Sequence, residues 1–199
     1  MKTVALIFVF FLISTMLFAQ VDSLILLDLN QTRIETTRIH AYVLGGWALA
    51  NITIGGYLTY KLEDGEPESF HHMNAAWNLV NLGVAWAILH NANHADITTY
   101  DIATSIHKNY QAQKLMMLNL GLDVSYTLGG LLLYEHHRVN KKFDYVLRGF
   151  GKSLMFQGIF LLALDTTFYT VYSSQNDEWR ELFKSIMISP NEVGMVIRF

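Results

Sequence analysis

The stretch LMMLNLGLDVSYTLGGLLLY, residues 115–134, decides the class of fold. It carries one charged side chain, Asp123, and no proline. At ~1.5 Å per residue it is long enough to cross a hydrocarbon layer of ~30 Å as a single helix. Working outward, three more apolar runs of similar length follow the same pattern, at residues 41–60, 74–93 and 147–172. Pro67 and Pro190 lie outside all four runs, so each is expected to form an unbroken helix. The expected fold is therefore all-α: a polytopic membrane protein with a four-transmembrane-helix bundle.

The rest of the composition fits that expectation. Hydrophobic residues make up 52% of the chain and charged residues 16%, below the quarter expected of a soluble domain. A soluble bundle would need polar stripes along every helix, and these runs lack them. A net charge of −3 gives no reason to expect a nucleic-acid partner. The chain has no cysteine, which excludes disulfides, a lipoprotein anchor, thiolate metal sites and cysteine nucleophiles.

Residues 1–19 read as a signal segment: Lys2 precedes an apolar run that ends Leu17-Phe18-Ala19. Cleavage after Ala19 and retention as an anchor both remain open, because Leu17 is larger than the small residue usual at that position. Residues 20–172 then form the four-helix domain and 173–199 an interfacial tail. Within the tail, Trp179, Leu182, Phe183 and Ile186 fall at spacings of three and four, which suits a helix lying on the membrane surface over residues 177–188. Residues 98–114 can extend the third span as one long helix.

Orientation follows from the basic residues. Arg138, Lys141, Lys142, Arg148 and Lys152 cluster around the third loop, which is expected to face the cytoplasm. Two crossings earlier, the acidic loop around Glu63 and Asp64 faces the same way. Both tails then lie outside a cell inner membrane. The expected partners are the lipid bilayer and either a second copy or another membrane protein.

An internal duplication is a further expectation. Aligning Gly55-Gly56 with Gly129-Gly130 pairs Tyr60 with Tyr134, and a nearly equal offset pairs Gly83 with Gly158 and His90 with Asp165. The repeating unit would be a helical hairpin. Chance similarity within the restricted alphabet of membrane helices is the competing explanation.

The residues that could carry chemistry are polar groups inside the runs. Asn74, Asn78 and Asn81 share one helix face, which should point into the bundle as interhelical glue or as part of a ligand path. Asp123 and Asp165 are costlier, since a carboxylate in a membrane helix is unfavourable by at least ~2.5 kcal/mol. With Asn51, His90 and Asn119 they can converge in the outer half of the bundle. That site would bind a proton, a cation or a small ligand, or else form a satisfied polar network. His90 and His94, one turn apart, are weak candidates for a metal or haem. No phosphate loop, serine-nucleophile motif or zinc-protease motif occurs, so no catalytic residue and no required cofactor are assigned.

The runs Tyr42-Val43-Leu44-Gly45-Gly46-Trp47-Ala48-Leu49-Ala50-Asn51-Ile52 and His72-Met73-Asn74-Ala75-Ala76-Trp77-Asn78-Leu79-Val80-Asn81 resemble an uncharacterised family of small membrane proteins from Bacteroidota. The resemblance implies a helical inner-membrane protein and no activity. The expected function is thus a non-enzymatic bundle, structural or binding a ligand or partner through its polar interior. The alternatives are a proton- or cation-coupled transporter or channel using Asp123 and Asp165, and a haem- or metal-binding membrane protein.

Overall fold

The computed structural model describes the backbone of residues 2–187 and the side chains of residues 23–181. The side chains of the signal segment, those of Leu182, Phe183 and Ile186, and all of residues 188–199 lie outside the described residues. Among the described residues the chain is all-helical. Five α-helices follow in order: α1 (Lys2–Lys61), α2 (Glu66–Asn93), α3 (Ile102–His136), α4 (Asp144–Ser174) and α5 (Asn176–Met187). Short 3-10 turns at Ile97–Thr99 and Lys141–Phe143 precede α3 and α4.

Local chemistry sets the boundaries. Gly65 precedes α2, and Pro67 sits in the first turn, where its missing N–H is harmless and its fixed φ suits a helix start. Glu66 and Glu68 occupy the same turn, complementing the positive end of the helix dipole. The Asp101 side chain accepts the Thr104 amide at 2.7 Å and caps α3. The extension expected for the third span therefore begins at Ile102, and residues 97–99 form a separate turn fixed by Asp96, whose carboxylate accepts the Thr98 hydroxyl at 2.6 Å.

α1 pairs with α2, and α3 with α4, as two antiparallel hairpins; α2 and α4 join the hairpins along the middle. Glycines permit these approaches. A methyl on Gly130 would stand 2.6 Å from the Met155 nitrogen, and one on Gly149 would stand 2.6 Å from the Glu66 carbonyl oxygen. Gly55 lies against His71 and Ala75 in the first hairpin, as Gly130 lies against Gly151 and Met155 in the second. The chain forms two helical hairpins, but the residue pairs of the expected repeat do not share environments: Gly55 lies against His71, whereas a methyl on its counterpart Gly129 would meet only the Leu154 side chain, at 3.9 Å. Gly83 has open space where Gly158 presses on Thr127, and His90 is exposed where Asp165 is buried.

Burial is inverted relative to a soluble bundle. Asn78 and Gln157 are completely buried, whereas Leu132 is 71% and Trp86 67% exposed. Two stretches, Ile102–His136 and Lys141–Glu181, are long and apolar enough to cross a membrane. The sequence reading expects four spans; residues 41–60 and 74–93 are helical, but Asn51, Asn74, Asn78, Asn81 and His90 dilute their hydropathy, and they do not join that pair. The same amides that mark the interior make these helices less apolar on average.

Beyond the apolar zone, residues 26–30 of α1 lie alongside the start of α3 and α5. Trp179 of α5 is buried against Leu29, with Leu26 and Ile106 packed around them. The expected tail helix is present as α5, and its tryptophan faces protein. Asn176 ties α5 to α3 by accepting from Gln113 Nε2 at 2.7 Å.

Candidate functional site

α4 carries Gln157, Leu161, Asp165, Phe168 and Tyr172 as one buried stripe at spacings of four, four, three and four. α2 presents Asn74, Asn78, Asn81 and Ala85 in the same way. Because these stripes face each other and α1, the buried polar groups fall into two levels.

The lower level is a closed amide network. Asn74 Nδ2 donates to Asn51 Oδ1 at 2.5 Å, Asn51 Nδ2 donates to the Trp47 carbonyl at 2.8 Å, and Trp47 Nε1 donates to Gln157 Oε1 at 2.9 Å. Gln157 Nε2 closes the ring by donating to Asn74 Oδ1. Asn78 bonds the Asn74 carbonyl at 2.8 Å, and Asn81 reaches Asn78 Oδ1 at 3.2 Å. These groups satisfy one another across α1, α2 and α4, which a low-dielectric interior requires.

The upper level is a cavity of about 200 Å³. All four long helices line it: His40 from α1, Asn81 from α2, Asn119 and Asp123 from α3, and Asp165 from α4. It exists because α2 and α3 do not pack along their lengths. Across that gap Trp77 and Tyr126 meet edge to face, with ring centroids 4.8 Å apart. Val80, Val84 and Leu122 both line the cavity and are exposed, so its mouth lies on the outer apolar surface between α2 and α3.

Two carboxylates meet this cavity differently. Asp165 Oδ1 lies 3.1 Å from His40 Nε2, with both side chains buried, and the His40 ring rests 4.7 Å from that of Phe168. Asp123 is 3% exposed, yet its Oδ2 has no hydrogen-bond partner; neither does Nε1 of Trp77, which also lines the cavity. One carboxylate is held by a protein group and the other is left open.

The structure thus brings Asn81, Asn119, Asp123 and Asp165 to one cavity and places Asn51, Asn74 and Asn78 in the network below it. His90 joins neither. It is exposed, stacked on Trp86 with ring centroids 5.3 Å apart and 4.2 Å from the His94 ring. His94 Nδ1 lies 2.8 Å from the His90 carbonyl. Among the described residues no group of three or more metal-binding side chains occurs, so this pair has no third ligand of that kind.

Sequence reasoning missed His40, Trp47 and Gln157 as members of these clusters. Gln157 was the most accessible of them, since it lies eight residues before Asp165 and so on the same helix face. His40 had no such cue, because its partner is on a different helix.

Residues 43–166 match a family of unknown function, DUF6992. The chain belongs to that family. The match spans both hairpins, includes Asn51, Asp123 and Asp165, and covers nearly all of the two runs that carried the resemblance; His40 lies just before it. No curated protein and no solved structure matches the chain.

Proposed function

We propose that this DUF6992 member is a non-enzymatic inner-membrane protein of four spans that binds a small cation, of the size of a primary ammonium, in the cavity between its helices. What supports the membrane placement is the inverted burial: amides inside, leucines and tryptophan outside. The four-span reading extends this from α3 and α4 to α1 and α2, whose exposed surfaces include Leu49, Ile54, Leu79 and Val84. The basic loop at Arg138, Lys141 and Lys142 favours a cytoplasmic position for both hairpin turns.

The observation that carries the binding reading is the unpartnered Asp123 Oδ2 in a cavity shared with Asp165. A buried carboxylate without a partner is destabilising, and a cation with several N–H donors would relieve it. A volume of about 200 Å³ exceeds the ~30 Å³ share of one water and falls below the ~300 Å³ typical of drug-sized ligands. The absence of a three-ligand cluster among the described residues favours a hydrogen-bonded cation over a coordinated transition metal.

The test is calorimetric titration of ethylammonium chloride into purified full-length protein, with sodium chloride as the ionic control. Saturable binding should occur and should weaken by about tenfold or more in Asp123→Asn, which keeps the shape and removes the charge. Absence of binding to the wild type, or unchanged binding in a folded Asp123→Asn variant, would defeat the proposal and leave the cavity a packing defect.

A further inference from the structure

A second cavity, of about 290 Å³, lies toward the α3 N-terminal end, among α1, α2, the turn before α3, and α3 itself. Its chemistry is opposite to that of the first. Arg33 and Lys108 line it, and no aspartate or glutamate does. Arg33 is 6% exposed, an unusual degree of burial for a guanidinium. Its Nη2 donates to Asn30 Oδ1 at 3.2 Å, its Nε has no hydrogen-bond partner, and no described carboxylate forms an ion pair with it.

The cavity wall brings the second cation close. The Tyr100 ring lies 6.0 Å from the Arg33 guanidinium carbon and 5.0 Å from Lys108 Nζ, so both cations approach the same aromatic ring. The two acids that flank Tyr100 in the sequence are engaged locally: Asp96 accepts from Thr98, and Asp101 from Thr104. Burial pushes the Arg33 guanidinium below its ordinary value, and the Tyr100 and Tyr172 hydroxyl groups push it back up. An arginine nevertheless keeps its charge in a protein, so the interior holds a cation with no counter-charge paired to it among the described residues.

We infer that this cavity binds a phosphate-type oxyanion, with Arg33 as the buried anchor and Lys108 as the second positive contact. The guanidinium offers a planar fork of donors matched to two oxygens of one anion, and Lys108 adds a mobile point charge at the more exposed side. Arg33 lies about two helical turns before the apolar run of residues 41–60 in α1, a position from which either a free phosphate or the headgroup of an anionic lipid could be reached. This site is separate from the cation cavity and does not depend on it, although Ile88 lines both.

The experiment uses the full chain. Inorganic phosphate is titrated into detergent-purified protein by calorimetry, and in parallel the protein in phosphatidylglycerol-containing nanodiscs is examined by native mass spectrometry for retained lipid. The variants are Arg33→Gln, Lys108→Gln and Arg38→Gln. Arg38 donates to Asn93 and does not line the cavity, so it serves as the control. Saturable phosphate binding, weakened about tenfold or more by Arg33→Gln and by Lys108→Gln but not by Arg38→Gln, assigns a free oxyanion. No phosphate binding, but a phosphatidylglycerol molecule retained by the wild type and lost in the same two variants, assigns the lipid headgroup. If neither ligand is held, or if both survive Lys108→Gln, the inference is overturned. Lys108 is only partly buried, so that variant keeps the test decisive even if Arg33→Gln fails to fold.

Discussion

Asp101 shows how a single exposed side chain can set a boundary and be tested by pH. Its carboxylate accepts hydrogen bonds from Thr104, which hold it below the ordinary carboxylate value. The stabilisation it gives α3 is therefore fully present above the unfolded-state value of ~3.9 and is lost as pH falls through the lower folded value. The Thr104 amide resonance should titrate with a midpoint below ~3.9 and should not titrate in Asp101→Asn. A midpoint at or above that value would show that the cap does not form. At this scale the sequence was legible where a residue acts within its own helix. The amide stripe of α2 follows from spacings of four and three, and so does its inward face. It was not legible where partners come from different helices: nothing in the order of residues joins His40 to Asp165 or Trp47 to Gln157. His90 illustrates the opposite error. Its place toward the outer end of the second run suggested convergence with Asp123 and Asp165, but a helix face is set by the local contact, and at that turn α2 shows His90 to the outside.

Helix pairs depend on a few glycines whose neighbours are backbone atoms, which cannot swing aside. Gly130→Ala would place its methyl 2.6 Å from the Met155 nitrogen and 2.7 Å from the Gly151 oxygen. Separating α3 from α4 to relieve this should destabilise the protein by ~1–3 kcal/mol. Gly46→Ala meets nothing within 4 Å and should be neutral or slightly stabilising. Reversible unfolding in denaturing detergent, read by circular dichroism, measures both; equal stability of the two variants would contradict the packing described for α3 and α4. The existence of these helices was readable from apolar run length and from the placement of the prolines. Their register was not. Equivalent sequence positions in the two hairpins meet different neighbours, as Gly83 and Gly158 show.

For the whole molecule, the absence of cysteine makes the proposed topology directly measurable. Single substitutions Asp64→Cys and Lys141→Cys should be labelled by a membrane-impermeant maleimide only after the cells are opened, and Asp177→Cys should be labelled in intact spheroplasts. Labelling of the Asp64 and Asp177 positions from the same side would break the four-span arrangement, because an odd number of crossings is proposed between them. The class of the fold was legible because apolar length is a strong signal. The count of spans was harder to read, because the residues that make α1 and α2 useful to the interior are the ones that make them less hydrophobic. The gap between α2 and α3 gives this arrangement a further property. In a bilayer its valine and leucine rim would face acyl chains, so a ligand would enter sideways from the lipid phase. Occupancy at Asp123 would then follow the ligand's concentration in the membrane, and at equal aqueous concentration an amine with a longer alkyl tail would fill the cavity ahead of a short one.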